Sequence, residues 1–238
     1  MAQELAKTHG VLEPLQTASS IDGQVQELRE TIDEYGEIPA VLIGWSWGAW
    51  LSFILASSYP AYMGKLILVG SGPFEEKYAA EITATRISRL NKKDRTEFEA
   101  LVESLDRFKG KTAPHPDSED ADTAFARLGE LTGIADSYDP LPVSPSSDEV
   151  HFDVFESVWR EARELRRSGE LLRLAENIRC PVVAVHGDYD PHPYEGVRIP
   201  LSKALKDFRF ILLENCGHSP WTEREAKDTF FRILRELL

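Results

Sequence analysis

Residues 41–48 read Val41-Leu42-Ile43-Gly44-Trp45-Ser46-Trp47-Gly48, and they carry the strongest indication of the fold. Its first half is a short, β-branched apolar run, which is typical of a strand buried on both faces. Residues 47–58 then run without a helix breaker as far as Pro60, which predicts a helix. A strand that enters a helix through G-x-S-x-G makes a sharp turn that strains and exposes the serine, and small residues must flank it. Gly44, Gly48 and Ala49 meet that requirement. The alternative is a tight turn with an inert serine.

Three further apolar runs predict strands. They are Leu66-Ile67-Leu68-Val69, Val182-Val183-Ala184-Val185-His186 and Phe210-Ile211-Leu212-Leu213. Val11-Leu12, interrupted by Pro14, is a weaker fifth candidate. Helical patterns separate the runs. One covers residues 22–35, with Asp22 as the predicted N-cap. Another covers residues 221–238, where Ser219 is the predicted cap, Pro220 suits the first turn and Glu223 would complement the helix dipole. Alternating strands and helices predict an α/β fold with a mostly parallel sheet.

The middle of the chain has a different pattern. Residues 73–177 contain no convincing strand, and helix-like stretches lie at 81–90, 96–108, 122–131 and 152–174. Linkers rich in Pro, Ser and Asp interrupt them at 112–120 and 139–148, and we expect these to be the most mobile parts. A connection of about a hundred residues is far longer than an ordinary crossover needs. We therefore predict a core of residues 1–72 and 178–238 with an inserted all-helical cap at 73–177.

Charge and composition exclude several functions. The chain has 238 residues and a net charge of −13, which disfavours nucleic acid and anionic membranes as partners. No apolar run reaches the roughly eighteen residues of a membrane span, and residues 1–7 lack a signal-peptide pattern. Cys180 and Cys216 make no disulfide framework. We expect two inert buried thiols in a cytoplasmic protein that acts on a small molecule.

A serine nucleophile needs a base, and His218 is the best placed of six histidines. It follows the last predicted strand, and the carboxyl ends of strands are where sites assemble in α/β sheets. His192 lies in the loop after the preceding strand and is a weaker rival. His186 lies inside that strand, which suggests a core or supporting role. The other three, His9, His115 and His151, lie away from strand ends.

The acid that orients the base should come from the loop His186-Gly187-Asp188-Tyr189-Asp190-Pro191. Both Asp188 and Asp190 are candidates, and the proline holds Asp190 in an extended or turn conformation. Together with His192, this loop also offers metal-ligand residue types. It lacks the H-E-x-x-H and thiolate patterns of metal sites, so we expect no metal. Acyl transfer needs no cofactor and no G-x-G-x-x-G is present, so we expect none.

Tryptophans cluster along the sequence around these candidates. Trp45 and Trp47 flank Ser46, and Trp221 follows His218. We expect Trp45, Trp221 and Trp159 of the cap to line a substrate pocket. Plain core packing is the alternative, above all for Trp45. The backbone N–H of Trp47, at a helix N-terminus, can donate to a developing oxyanion.

Gly44–Gly48, Gly187-Asp188-Tyr189-Asp190 and Gly217-His218 stand in the order serine, aspartate, histidine. In this order the chain resembles the α/β-hydrolase fold family, most closely its proline-iminopeptidase-like and small-molecule esterase branches, which carry a helical cap. The resemblance covers nearly the whole chain, although the cap matches only in position and helical character. It implies Ser46 as nucleophile, His218 as base, Asp190 as acid and the Trp47 N–H as one oxyanion donor.

The chain departs from the family at its N-terminus. The family places a strand and an oxyanion loop, often His-Gly-Gly-Pro-Gly, upstream of the segment that matches residues 1–5. We therefore expect an N-terminally shortened sheet of about five strands instead of eight, with residues 11–15 near the Val41 strand. A homo-oligomer could cover the free edge. Two functions follow: a serine hydrolase acting on a small ester, amide or related acyl substrate through an acyl-enzyme, or a weakly active or non-catalytic binding protein with an incomplete oxyanion hole.

Overall fold

Four parallel strands form the sheet of this protein in the computed structural model, which describes residues 1–108, 118–142 and 151–238. They are β1 (Ala40–Trp45), β2 (Met63–Val69), β3 (Val182–Gly187) and β4 (Phe208–Leu213), in the order β1-β2-β3-β4. The four longer apolar runs are thus confirmed as strands. The fifth strand is wrong: Val11 and Leu12 are exposed and outside any strand. Two apolar residues provide too little surface to bury, and Pro14 removes a backbone donor.

Ten α-helices accompany the sheet in the described residues. They are α1 (Ala2–Leu5), α2 (Ile21–Tyr35), α3 (Trp47–Ser58), α4 (Ile82–Arg89), α5 (Lys92–Asp106), α6 (Ser118–Asp136), α7 (Phe152–Ser168), α8 (Glu170–Arg173), α9 (Glu195–Ala204) and α10 (Lys227–Leu237). Short 3₁₀ turns lie at Pro60–Tyr62, Glu76–Tyr78, Leu174–Asn177 and Pro220–Thr222. No helix in the described ranges is long and apolar enough to cross a membrane.

Both faces of the central strands are buried, which explains their unbroken apolar runs. Along β2, Leu66 and Leu68 join the cluster formed with α2 and α3. Ile67 and Val69 point to the opposite face and pack with Phe230 and Leu234 of α10. Period-two alternation therefore feeds two separate cores from one strand.

The ends of two helices differ from the prediction. Ser20, and not Asp22, caps α2, because its side chain accepts from the Gly23 amide. The last helix begins at Lys227 and not at Trp221. Pro220–Thr222 instead forms a 3₁₀ turn, and Glu223 has extended backbone with φ −81° and ψ 128°. The reason lies in the Glu223 carboxylate, which binds backbone amides instead of starting a helix.

The described part of residues 73–177 is helical apart from loops and one isolated bridge between Pro140 and Glu223. Helix α7 connects this region to the core helices: Trp159 stacks on Trp50 of α3 with ring centroids 5.6 Å apart, and Glu161 accepts from the Ile21 amide of α2. The linker residues 112–117 and 143–148, expected to be mobile, lie outside the described residues, as does His115.

Strand β1 forms one edge of the sheet. Val41 and Trp45 are 40% and 39% exposed there, so the strand that carries the serine turn has its second side open in the described part of the chain. Self-association over this edge stays a prediction.

Candidate active site

Ser46 occupies the turn between β1 and α3 with φ 55° and ψ −119°. This left-handed φ is costly for a residue with a side chain and persists only where the surroundings enforce it. Gly44 shows the enforcement, because a Cβ there would clash with the Gly48 carbonyl and the Ala49 backbone. A Cβ on Gly48 would meet nothing within 4 Å. Crowding therefore requires a small residue at Gly44. The expectation that Gly48 must also be small is wrong, because a side chain there would have room.

Backbone hydrogen bonds between neighbouring segments continue past the carboxyl ends of the strands. The Ser46 amide donates to Val69 O at 3.0 Å, and the Gly70 amide donates to Val185 O at 3.0 Å. The Tyr189 amide donates to Cys216 O at 2.9 Å. The loops that carry Ser46, Asp190 and His218 are therefore joined at one edge of the sheet, as expected for the carboxyl ends of parallel strands.

His218 and Asp190 are in direct contact. His218 Nδ1 lies 2.7 Å from Asp190 Oδ2, and both side chains are buried. Burial lowers the pKa of His218, but the Asp190 carboxylate outweighs burial and raises that pKa above its ordinary value. Burial also raises the pKa of Asp190, but the neighbouring histidines, His218 first, hold it well below its usual range. Asp190 is therefore an ionised acceptor beside a more basic imidazole.

The rival candidates occupy distinct positions around the same loop. Asp188 accepts from the Cys216 amide at 3.1 Å, so it supports the loop that carries His218. His192 Nδ1 lies 2.7 Å from Asp190 Oδ1. His186 is buried, and burial lowers its pKa. Its Nε2 donates to the His192 carbonyl at 2.9 Å, while its buried Nδ1 has no partner, as in a neutral imidazole that supports the loop.

Ser46 lies next to the His218 loop, but its side chain is not hydrogen-bonded to the His218 imidazole. The Ser46 amide binds Val69, and the following Gly70 packs against His218, where a Cβ would lie 3.1 Å from Nδ1. Among the described contacts, none is a hydrogen bond between Ser46 Oγ and His218 Nε2. Hydrogen bonds of this type are often long in unliganded enzymes and tighten when substrate binds.

Trp45 contacts His218, and Trp221 packs on Trp45. The indole N–H of Trp45 donates to the His218 carbonyl at 3.0 Å, and the two rings are 5.3 Å apart. Trp221 meets Trp45 edge to face at 5.0 Å. Trp45 is exposed, so plain core packing, the alternative for this residue, is wrong.

The remaining tryptophans lie elsewhere on this side of the sheet. Trp47 Nε1 donates to the buried Gln24 at 2.8 Å, and its backbone N–H is in the first turn of α3, where amides lack intrahelical partners. Trp159 stacks on Trp50. The structure therefore places Trp45 against His218, Trp221 against Trp45, and Trp159 at the junction of α7 and α3.

Sequence reasoning missed Arg86 and Asp136 and assigned Glu223 the wrong role. Asp136, at the end of α6, accepts the His218 amide through its carbonyl at 2.9 Å, and its carboxylate binds Arg86 at 2.7 and 2.6 Å. Glu223 is fully buried and accepts from the amides of Gly217, Tyr138 and Asp139 at 3.0, 2.9 and 2.8 Å. The dipole role expected for Glu223 is therefore wrong: it fastens the His218 loop to the segment after α6.

Metal-ligand residue types meet at two places in the described residues. Asp190, His192 and His218 offer ligand atoms within 4.8 Å of one another, as do Asp122, His151 and Asp153. In the first group each imidazole Nδ1 is already at hydrogen-bond distance from a carboxylate oxygen. That arrangement suits charge-assisted hydrogen bonds between the side chains.

Both cysteines are buried and free. Burial raises the pKa of each thiol, which keeps Cys216 protonated even though it lies close to His218. Unreactive thiols agree with the expectation from the sequence.

Comparison with known proteins identifies the family and supports the fold. The sequence model of the alpha/beta hydrolase family matches residues 8–230. No curated protein matches the chain significantly. Among solved structures, the Paleococcus ferrophilus monoacylglycerol lipase is 18% identical, with 93% of this chain and 75% of that chain covered and a TM-score of 0.54.

Two further structures are similar in fold. The proline iminopeptidase of Mycobacterium smegmatis is 15% identical, with 93% of this chain and 73% of that chain covered and a TM-score of 0.55. Est816, described as an N-acyl homoserine lactone degrading enzyme, is 16% identical, with 97% and 79% covered and a TM-score of 0.57. These likenesses show the fold, and the family match spans nearly all of the sequence: the chain belongs to the alpha/beta hydrolase family.

Proposed function

We propose that this protein is a serine hydrolase that cleaves a small ester, amide or related acyl substrate. Members of its family are generally hydrolases, and the contact between His218 Nδ1 and Asp190 Oδ2 at 2.7 Å is the observation that carries the proposal. Asp190 is in contact with the imidazole, while Asp188 binds the Cys216 amide. We therefore assign the acid role to Asp190.

The reaction proceeds in two acyl transfers. His218 Nε2 accepts the proton of Ser46 as Oγ attacks the carbonyl carbon, and the Trp47 N–H donates to the oxyanion. His218 then protonates the leaving group, which leaves an acyl group on Ser46. A water molecule, deprotonated by His218, hydrolyses this ester and regenerates Ser46. Throughout, Asp190 accepts from His218 Nδ1 and stabilises the imidazolium.

The surroundings suit a small substrate. We infer that residues 73–177 form the cap and residues 1–72 and 178–238 the catalytic core, because α7 packs on α2 and α3 while Asp136 accepts from the His218 amide. Trp45, Trp221 and Trp159 supply apolar walls in this proposal. We also place the protein in the cytoplasm, since two buried free thiols suit a reducing compartment.

A weakly active or non-catalytic binding protein is the second candidate. It is favoured by the missing hydrogen bond between Ser46 Oγ and His218 in the described contacts. Hydrolysis of p-nitrophenyl acetate and proline p-nitroanilide by the wild type and Ser46→Ala separates the two. Turnover that Ser46→Ala abolishes supports the hydrolase, and equal rates for the two proteins support the binding protein.

A further inference from the structure

Asp190 holds two imidazoles at hydrogen-bond distance, and Nε2 of a third, His186, lies 3.4 Å from its Oδ2. Its Oδ2 lies 2.7 Å from His218 Nδ1, and its Oδ1 lies 2.7 Å from His192 Nδ1 and 2.9 Å from the His192 amide. We propose that His192 is a positioning residue, a neutral second imidazole that fixes the Asp190 carboxylate so that Oδ2 stays directed at His218. The catalytic part of this inference rests on the proposed hydrolase function.

The tautomers follow from the acceptors. Asp190 is ionised, so both of its oxygens accept and both imidazoles must donate from Nδ1. Each ring then has Nε2 left over. In His218 this nitrogen is free for the Ser46 proton. In His192 it lies 3.5 Å from Arg86 Nη2, and a guanidinium can only donate, so His192 Nε2 must be an unprotonated acceptor.

The surroundings of His192 favour this neutral form, although the Asp190 carboxylate opposes it. Burial lowers the pKa of His192 despite the Asp190 carboxylate, and His218 and Arg86 lower it further. Arg86 is fixed in place by two contacts with Asp136. From β3, His186 donates to the His192 carbonyl and holds the backbone of the loop.

This arrangement restricts the carboxylate in two ways. The amide and Nδ1 of His192 both donate to Oδ1, so rotation of the Asp190 carboxylate would break two hydrogen bonds. The His192 ring also packs on the His218 ring, with centroids 4.7 Å apart. Loss of the His192 donor would leave Oδ1 with the amide alone and would loosen the group that orients the base.

Two substitutions separate hydrogen bonding from packing. His192→Asn places an amide N–H near the position of Nδ1 and cannot become protonated, whereas His192→Ala removes the donor. With p-nitrophenyl acetate we expect His192→Ala to lower kcat about 10–100-fold with KM within about 2-fold, since misaligned catalytic groups reduce the chemical step. We expect His192→Asn to retain kcat within about 3-fold of the wild type. Wild-type kcat in His192→Ala, or no recovery in His192→Asn, would overturn the catalytic part.

A second measurement does not depend on activity. Proton NMR of the wild type should show three imidazole N–H resonances downfield of the amides: Nδ1–H of His192, Nδ1–H of His218 and Nε2–H of His186. His192→Asn should lose the His192 resonance, and His9→Asn, at an exposed histidine, should retain all three. A wild-type spectrum without the resonance assigned to His192 would overturn the double contact. The His192 and His218 resonances without turnover that depends on Ser46 would contradict the hydrolase while leaving this inference on the carboxylate intact.

Discussion

Asp190 and His218 lie 28 residues apart in the sequence, and their side chains meet at 2.7 Å between Oδ2 and Nδ1. The contact joins the loop after β3 to the loop after β4, and the carbonyl of Asp136 holds the His218 amide from the opposite side. A buried carboxylate that accepts from an imidazole stabilises the positive charge which that imidazole acquires as a base. The proposed hydrolase activity depends on this pair.

The raised pKa of His218 predicts the pH dependence of hydrolysis. The base must be unprotonated to accept the Ser46 proton, so kcat/KM should rise with pH and its acid limb should have an apparent pKa above 6.5, the ordinary histidine value. Because Asp190 causes this shift, Asp190→Asn should lower the apparent pKa and reduce kcat by about 10³–10⁴-fold. A pH–rate profile of both proteins tests this. An acid limb below 6.5 in the wild type would contradict the assignment of His218.

His186 predicts a loss of stability in mild acid. Its pKa is lowered in the folded protein because it is buried, so the unfolded chain binds the extra proton more readily. The folded state should therefore be destabilised as the pH falls through about 6.5, the value expected when unfolded. His186→Gln keeps an N–H for the His192 carbonyl and cannot be protonated. Its Tm should fall less steeply than that of the wild type over this pH range, and equal slopes would count against a buried neutral His186.

Gly44 and Gly48 should respond in opposite directions to the same change. Gly44→Ala forces a Cβ into the backbone of the turn. It should lower the free energy of unfolding by about 1–3 kcal/mol, as overpacking does. Gly48→Ala adds a methyl group in open space inside α3 and should stabilise by about 0.5–1 kcal/mol through helix propensity. Urea unfolding of the two variants measures both effects. Similar losses at both positions would show that the turn is not built as described.

Glu223 should be important for stability although it has no part in the proposed acyl transfer. Glu223→Ala leaves the amides of Gly217, Tyr138 and Asp139 without their acceptor, and each unsatisfied buried amide costs about 1–3 kcal/mol. We expect a loss of at least about 3 kcal/mol in the free energy of unfolding. Glu223→Gln keeps one acceptor oxygen and should lose less. A free energy of Glu223→Ala within about 1 kcal/mol of the wild type would contradict this role.

The sequence was sufficient for the strands and the order of the candidate residues. Strands buried on both faces have unbroken apolar runs, and β2 shows this clearly because Leu66 and Ile67 enter different cores. The loops that end such strands are recognisable from their glycines. The strand predicted at Val11-Leu12 is wrong because a run of two apolar residues is too short to distinguish a buried strand from a loop.

Contacts between distant segments could not be predicted. Arg86 and Asp136 are 50 residues apart, and Glu223 binds amides more than 80 residues away. Carboxylates and guanidinium groups at such separations have no spacing rule, and near a helix start Glu223 looked like a partner for the dipole. Only the three-dimensional arrangement shows that these charges hold the His218 loop.

Covalent labelling is the most direct test of Ser46 as the nucleophile. A fluorophosphonate probe reacts with a serine only where a base activates it. We expect mass spectrometry to find the probe on Ser46 in the wild type, with labelling abolished in Ser46→Ala, strongly reduced in His218→Ala and retained in His9→Ala. Absence of labelling in the folded wild type, or labelling that survives in Ser46→Ala, would contradict the account.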